Sequence, residues 1–124
     1  MERYFEEGGI DIPLFDFNPQ SGNLLIKGRS FPEDTVSTYL PVLEWIDNYL
    51  PVAAMETKLQ FELDYFNSST YKAFLNILLR LEKLIDANKK VKVEWYYHER
   101  DIDMKEAGEE FAELVDIPFS IVSK

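Results

Sequence analysis

Three clusters of side chains in this sequence could do chemistry. The first is a run of three hydroxyls behind an amide, Asn67-Ser68-Ser69-Thr70. Read as a helix start, Asn67 is the N-cap, Ser68 the first helical residue, and Phe66 and Tyr71 occupy the positions of a hydrophobic staple. The Ser68 hydroxyl then points outward beside backbone N–H groups that have no partner of their own. A phosphate placed there would carry roughly −1.5 to −2 charges and be favoured by about 0.3–1 kcal/mol at the positive end of the helix. The simpler use of the same residues is helix capping.

The second cluster is the lone histidine, His98, beside Glu99 in a polar loop. A single histidine cannot build a His-rich metal site, and loop solvation accounts for it. The third is the carboxylate group Asp101, Asp103, Glu106, Glu109 and Glu110. Its spacing is not that of an EF-hand loop, which needs alternating oxygen ligands and a glycine at the sixth position. Acids in a first helical turn complement the helix dipole. A small enzyme or metal protein built on His98 or on these carboxylates is therefore the weakest of the functional readings, and no metal or cofactor is expected. With no cysteine in the chain, disulfides, thiolate zinc sites and thiol catalysis are excluded.

The elements that position these residues follow from periodicity. Leu59, Phe61, Leu63 and Tyr65 alternate with Gln60, Glu62 and Asp64, which predicts a half-buried strand over 58–66. Phe74, Ile77, Leu78, Leu81, Leu84 and Ile85 recur at spacings of three and four, which predicts an amphipathic helix from Ser68 to about Asn88. The hydroxyls lie where the two patterns meet. Upstream, residues 1–9 are acidic, end in Gly8-Gly9 and are expected to fray. A strand from Ile10 to Phe17, interrupted by Pro13, and a second at Asn23 to Lys27 predict a hairpin across Asn18-Pro19-Gln20-Ser21-Gly22. Val36, Tyr39, Leu40, Leu43, Ile46 and Leu50 define a helix, with a kink or a fresh start expected at Pro41.

Downstream, Val91, Val93, Trp95 and Tyr97 predict a strand over 91–97. Met104, Ala107, Phe111, Leu114 and Val115 predict a helix, and Phe119 to Val122 a short last strand. The order is ββαβαβαβ, one α/β domain over residues 1–124. Right-handed crossovers put the helices on one side, and alternating strands predict a mixed sheet whose other face is wet.

Thirteen basic against twenty-three acidic residues give a net charge of −10, which argues against nucleic acid and anionic membrane as partners. The N-terminus lacks the basic and apolar regions of a signal peptide, and no apolar run approaches the roughly 20 residues that span a bilayer. A cytoplasmic protein is expected. Tyr4, Phe5, Phe31 and Tyr96 fit the inward pattern poorly, and exposed aromatics of this kind suggest a protein interface.

The junction Phe66-Asn67-Ser68-Ser69-Thr70 in this element order is similar to the phosphorylatable junction of STAS-domain anti-sigma-factor antagonists, which reads Asp-Ser-Ser-Gly. A resemblance covering nearly the whole chain is to the bacterial SiaC-family regulatory phosphoproteins. It rests on four blocks in the same order: Gly28-Arg29-Ser30-Phe31-Pro32-Glu33-Asp34, Asp64-Tyr65-Phe66-Asn67-Ser68-Ser69 with Lys72, Trp95-Tyr96-Tyr97, and Asp103-Met104-Lys105-Glu106-Ala107-Gly108-Glu109-Glu110-Phe111.

That resemblance implies a STAS-like fold and a non-catalytic role in partner switching. A protein kinase would phosphorylate the hydroxyl directly after the Asn, here Ser68 with Ser69 as runner-up, and a PP2C-type phosphatase would reverse it. The unphosphorylated protein would bind and activate a diguanylate cyclase or another effector. The switch surface expected from it comprises Asn67, Ser68, Ser69, Thr70, Lys72, Phe31 and Tyr96. The alternative is an interaction module that uses the same surface constitutively.

Overall fold

The computed structural model describes all of Met1–Lys124. Six strands form one sheet in sequence order: β1 (Tyr4–Glu6), β2 (Leu14–Asn18), β3 (Asn23–Ser30), β4 (Glu56–Phe66), β5 (Lys90–Tyr97) and β6 (Phe119–Ser123). β1 to β3 are antiparallel neighbours, and β3 to β6 run parallel. Each parallel step contains one helix: α1 (Thr35–Tyr49), α2 (Ser68–Asp86) or α3 (Ile102–Leu114). Because the strand order advances in one direction and the crossovers share one hand, all three helices cover the same face.

The alternation expected for β4 and β5 follows from that one-sided cover. Leu59, Phe61 and Leu63 of β4 and Val91, Val93 and Trp95 of β5 face the helices and are buried. They meet Phe15, Phe17, Leu24 and Ile26 from β2 and β3, and Phe74, Ile77, Leu78 and Leu81 from α2, in one continuous core. The opposite face carries cross-strand ion pairs, Lys27 with Glu62 at 3.8 Å, Lys58 with Glu94 at 3.9 Å and Lys92 with Glu56 at 3.7 Å.

Four expectations are corrected. Residues 4–6 do not fray: they form β1, pairing Tyr4 with Phe17. Arg3 donates two hydrogen bonds to the Asp16 carboxylate at 2.6 and 2.8 Å, and Trp45 Nε1 donates to the Glu2 carbonyl at 2.9 Å. The element order thus gains a strand, β2 starts only at Leu14, after Pro13, and of the two outcomes expected at Pro41 the fresh start is overturned, because α1 runs through it as one helix. Pro41 is exposed, so the carbonyl deprived of its N–H partner one turn earlier can turn to water. Lastly, Val36, Leu40, Ile85 and Leu114 lie in apolar helical patterns but are exposed.

The helix-to-sheet spacing is set on the α3 side by Gly108. A Cβ there would run into the Trp95 ring. Without one, α3 lies close enough for Trp95 Nε1 to donate to the Met104 carbonyl at 2.9 Å, while Trp95 packs on Phe61, Phe66 and Phe111.

Candidate functional site

The end of β4 does not keep the phase that its sequence suggests. β3 and β4 stay in register to Gly28 and Leu63, and then Arg29 pairs with Tyr65, leaving Asp64 as an extra residue. Gly28, at φ +116°, supplies the backbone conformation this irregularity needs. Leu63 therefore points in, Asp64 and Tyr65 point out, and Phe66 turns back toward Phe74, Trp95 and Phe111. Tyr65, expected inward, is exposed.

Asn67 then caps α2 in extended backbone, its Oδ1 accepting the Thr70 N–H at 3.0 Å. Its own N–H donates to the Ser30 carbonyl at 3.1 Å, tying the cap to the end of β3. Phe66 and Tyr71, the two staple positions, both pack on the Phe111 ring of α3, Tyr71 stacked at 4.4 Å. Burial, with Glu110 nearby, raises the Tyr71 phenol above its usual range.

The three hydroxyls have three different environments. Ser68 is exposed, and its hydroxyl makes no hydrogen bond within the chain. Ser69 is also exposed, but its Oγ lies 2.6 Å from Thr35 Oγ1 of α1 and donates to Asn67 Oδ1 at 3.0 Å. Thr70 is fully buried, 2.9 Å from Ser30 Oγ, which in turn lies 2.7 Å from the Tyr39 hydroxyl. Burial drives the Tyr39 phenol far above its usual range, so it stays neutral and serves as a hydrogen-bonding pin between α1 and the sheet. Ser30, Thr35 and Tyr39 escape a search for reactive residues. The signal for them is topological: β3 and β4 are parallel neighbours, so the starts of α1 and α2 must meet at the same sheet edge.

The remaining expected residues divide. Lys72 is exposed, one turn after Ser68, and makes no ion pair. Phe31 is half-buried, its ring edge-on to Tyr65 at 5.8 Å and covered by the Arg29 guanidinium at 5.4 Å. Tyr96 is not brought to the hydroxyls. It lies on the helix-free face, where its hydroxyl donates to Glu94 at 2.9 Å and that bond raises its phenol pKa. Phe5 is exposed on β1, away from the junction, under the Arg3 guanidinium.

His98 and Asp64 approach to 3.5 Å, both largely exposed. Asp101 caps α3, accepting the Met104 N–H at 3.0 Å, and Asp103 lies in its first turn. No three carboxylate or imidazole groups converge in a way that could hold a metal ion. With Ser68 exposed and no acid in the first turn, the α2 start has room for an anion or a modification. Fold and junction together define a small α/β domain with a mixed six-stranded sheet and three helices on one face.

Comparison with known proteins makes the assignment specific. The chain belongs to the SiaC family of regulatory phosphoproteins, whose family model matches residues 7–124. It is 32% identical over 114 residues to a protein of Pseudomonas aeruginosa strain UCBPP-PA14, covering 92% of this chain and 90% of that one. The crystal structure of apo-SiaC from Pseudomonas aeruginosa superimposes with a TM-score of 0.91 at 29% identity, over 99% of this chain and 100% of that chain. A further match, at TM-score 0.90 and 29% identity over 98% of this chain and 99% of that chain, is to SiaC crystallised as activator in complex with the diguanylate cyclase SiaD. No helix of the present chain is long and apolar enough to cross a membrane.

Proposed function

We propose that this protein is a non-catalytic partner-switching regulator whose state is written at Ser68. A protein kinase phosphorylates Ser68, a PP2C-type phosphatase removes the phosphate, and the unmodified protein binds and activates a diguanylate cyclase. The exchange takes place in the cytoplasm, where the kinase finds ATP. The observation that carries this reading is the state of the Ser68 hydroxyl: exposed, without a hydrogen bond, and first in a helix whose opening turn contains no acid. Ser69 is the poorer acceptor, because its Oγ must first leave Thr35 and Asn67. The cyclase is suggested by the SiaD complex of the relative.

The off-state follows from electrostatics. A docking surface loses water at its centre, and a dianion buried there without matched cations costs several kcal/mol. About 3 kcal/mol weakens binding more than a hundredfold. The test is binding of wild type, Ser68→Ala and Ser68→Asp to a SiaD-type cyclase, with intact-mass analysis of protein from its native host. Ser68→Ala should bind like the unmodified protein, Ser68→Asp should lose binding, and a species about 80 Da heavier, one phosphoryl group, should map to Ser68. If both variants bind like wild type and no heavier species exists, the surface is a constitutive interaction module.

A further inference from the structure

The two edges of the sheet are defended differently. β1 is three residues long, contains Glu6 and is braced by the Arg3–Asp16 ion pair. β6 is Phe119-Ser120-Ile121-Val122-Ser123, with no charge, no proline and an unbroken register against β5. Sheets blunt their free edges with charge, proline or bulges, and β6 has none of these. The Pro118 carbonyl accepts from the Val93 N–H and the Lys124 N–H donates to the Tyr97 carbonyl, so the even-numbered residues bond to β5. Phe119, Ile121 and Ser123 therefore turn their N–H and C=O groups away from the sheet, where nothing in the chain meets them. The half-buried side chains of Phe119 and Ile121 pack on the core beneath the helices.

We propose that β6 pairs antiparallel with β6 of a second copy of this chain. The outward residues are symmetric about Ile121, which is what a two-fold interface requires of a single strand. With the axis there, Ile121 faces the second copy's Ile121 and Phe119 faces its Ser123, and the residues of each pair exchange N–H···O bonds. Phe119 and Ile121 of both copies then form one apolar row on the helix side of the joint. The same register places Lys124 opposite the second copy's Pro118, two residues from its Asp116. Lys124 and Asp116 are exposed and make no ion pair within the chain, so the joint gives each a partner. The head-to-tail alternative, β6 on β1, would build an open filament, and the charged β1 edge opposes it. A joint of one five-residue strand per copy is smaller than the roughly 1,200–2,000 Å² of stable complexes, so the dimer is weak and concentration-dependent. It lies two strands, about 10 Å, from β4 and leaves the α2 start uncovered, so it does not rest on the Ser68 switch.

The test is sedimentation and amide hydrogen exchange of the full chain between about 20 μM and about 2 mM, a range that brackets a weak dimer. In dilute protein the amides of Phe119, Ile121 and Ser123 should exchange fast and those of Ser120 and Val122 slowly, because only the latter donate to β5. At the higher concentration a dimer should sediment and the three outward amides should slow severalfold. Ser123→Pro removes an N–H that β5 does not use and should weaken the dimer about tenfold, since both copies lose a bond. Lys124→Glu and Asp116→Lys should each weaken it about fivefold, and the two together should restore it to within about twofold.

A chain that stays monomeric at the highest concentration overturns the proposal. So does a dimer whose newly protected amides lie elsewhere, which assigns association to another face. A charge exchange that fails to restore affinity also overturns it, because the antiparallel register is then wrong. Should Ser123→Pro melt earlier than wild type, the two exposed charge variants decide the question without it. None of these outcomes bears on Ser68, whose binding test is separate.

Discussion

The starts of α2 and α3 are built alike and charged differently. Each follows a strand of the parallel set, and each is capped by an Asx residue whose Oδ1 accepts the N–H three residues on, at 3.0 Å in both. At α3 the cap is Asp101, and Asp103 follows in the first turn, so the helix's own carboxylates already answer its positive end. At α2 the cap is the neutral Asn67, and no acid occupies the first turn. The same capping hydrogen bond thus accompanies one start already occupied by anions and one still open to an anion. In a chain of net charge −10, the neutrality of the α2 start sets the proposed switch apart better than any cluster of reactive groups does.

This comparison can be broken or sharpened by substitution. The largest effect on stability is expected where the α2 start is buried. Thr70→Val should cost about 1–3 kcal/mol in urea unfolding by removing a partner of the buried Ser30 Oγ. Ser68→Ala, two residues away and exposed, should stay within about 0.5 kcal/mol, and a larger loss would show that Ser68 is structural. Next, Asn67→Ala should cost about 1 kcal/mol as a lost cap.

Asn67→Asp should retain the cap but make the α2 start resemble that of α3. In protein phosphorylated at Ser68, phosphorus-31 NMR should then find the second phosphate pKa higher than with Asn67, where the helix end favours the dianion and pulls it below about 6. An unchanged value would remove the electrostatic distinction between the junctions.

The smallest effect concerns the third junction, at α1. The Ser37 backbone N–H and hydroxyl hold the Asp34 carboxyl below the usual carboxylate range. A pKa lower in the folded than in the unfolded state adds stability that is present above about pH 4 and lost as pH falls through the folded value. Asp34→Asn should flatten the acid limb of the stability profile slightly, and an identical limb would show that the cap bond has no charge dependence.

Most of the fold was legible because one-sided helix cover forces clean alternation, as in Leu59, Phe61 and Leu63 of β4 and Val91, Val93 and Trp95 of β5. What was not legible depends on a second element. Tyr65 continues the alternation on paper, yet the irregularity opposite Gly28 reverses its phase, and nothing in 58–66 alone records that. β1 is three residues long and is held by Asp16, Phe17 and Trp45, all distant in sequence. Helix α1 has more apolar residues than one buried stripe uses, so periodicity could not decide between Val36 with Leu40 and Val42 with Tyr49. At the site, Asn67 as cap and Ser68 as first helical residue were readable from local chemistry. The neighbours that distinguish the three hydroxyls, Ser30, Thr35 and Tyr39, were not, because they arrive through strand order.

The two tryptophans give the protein a built-in optical readout. Trp95, sealed beneath α3 and touching Phe66 just before the cap, should emit at the blue edge and shift red whenever that start of α2 loosens. Trp45, stacked on Tyr49 at 5.0 Å and bonded to the Glu2 carbonyl, reports instead on detachment of the first strand. Replacing either with phenylalanine leaves one fluorophore per event, so both ends of the molecule can be followed without an attached dye.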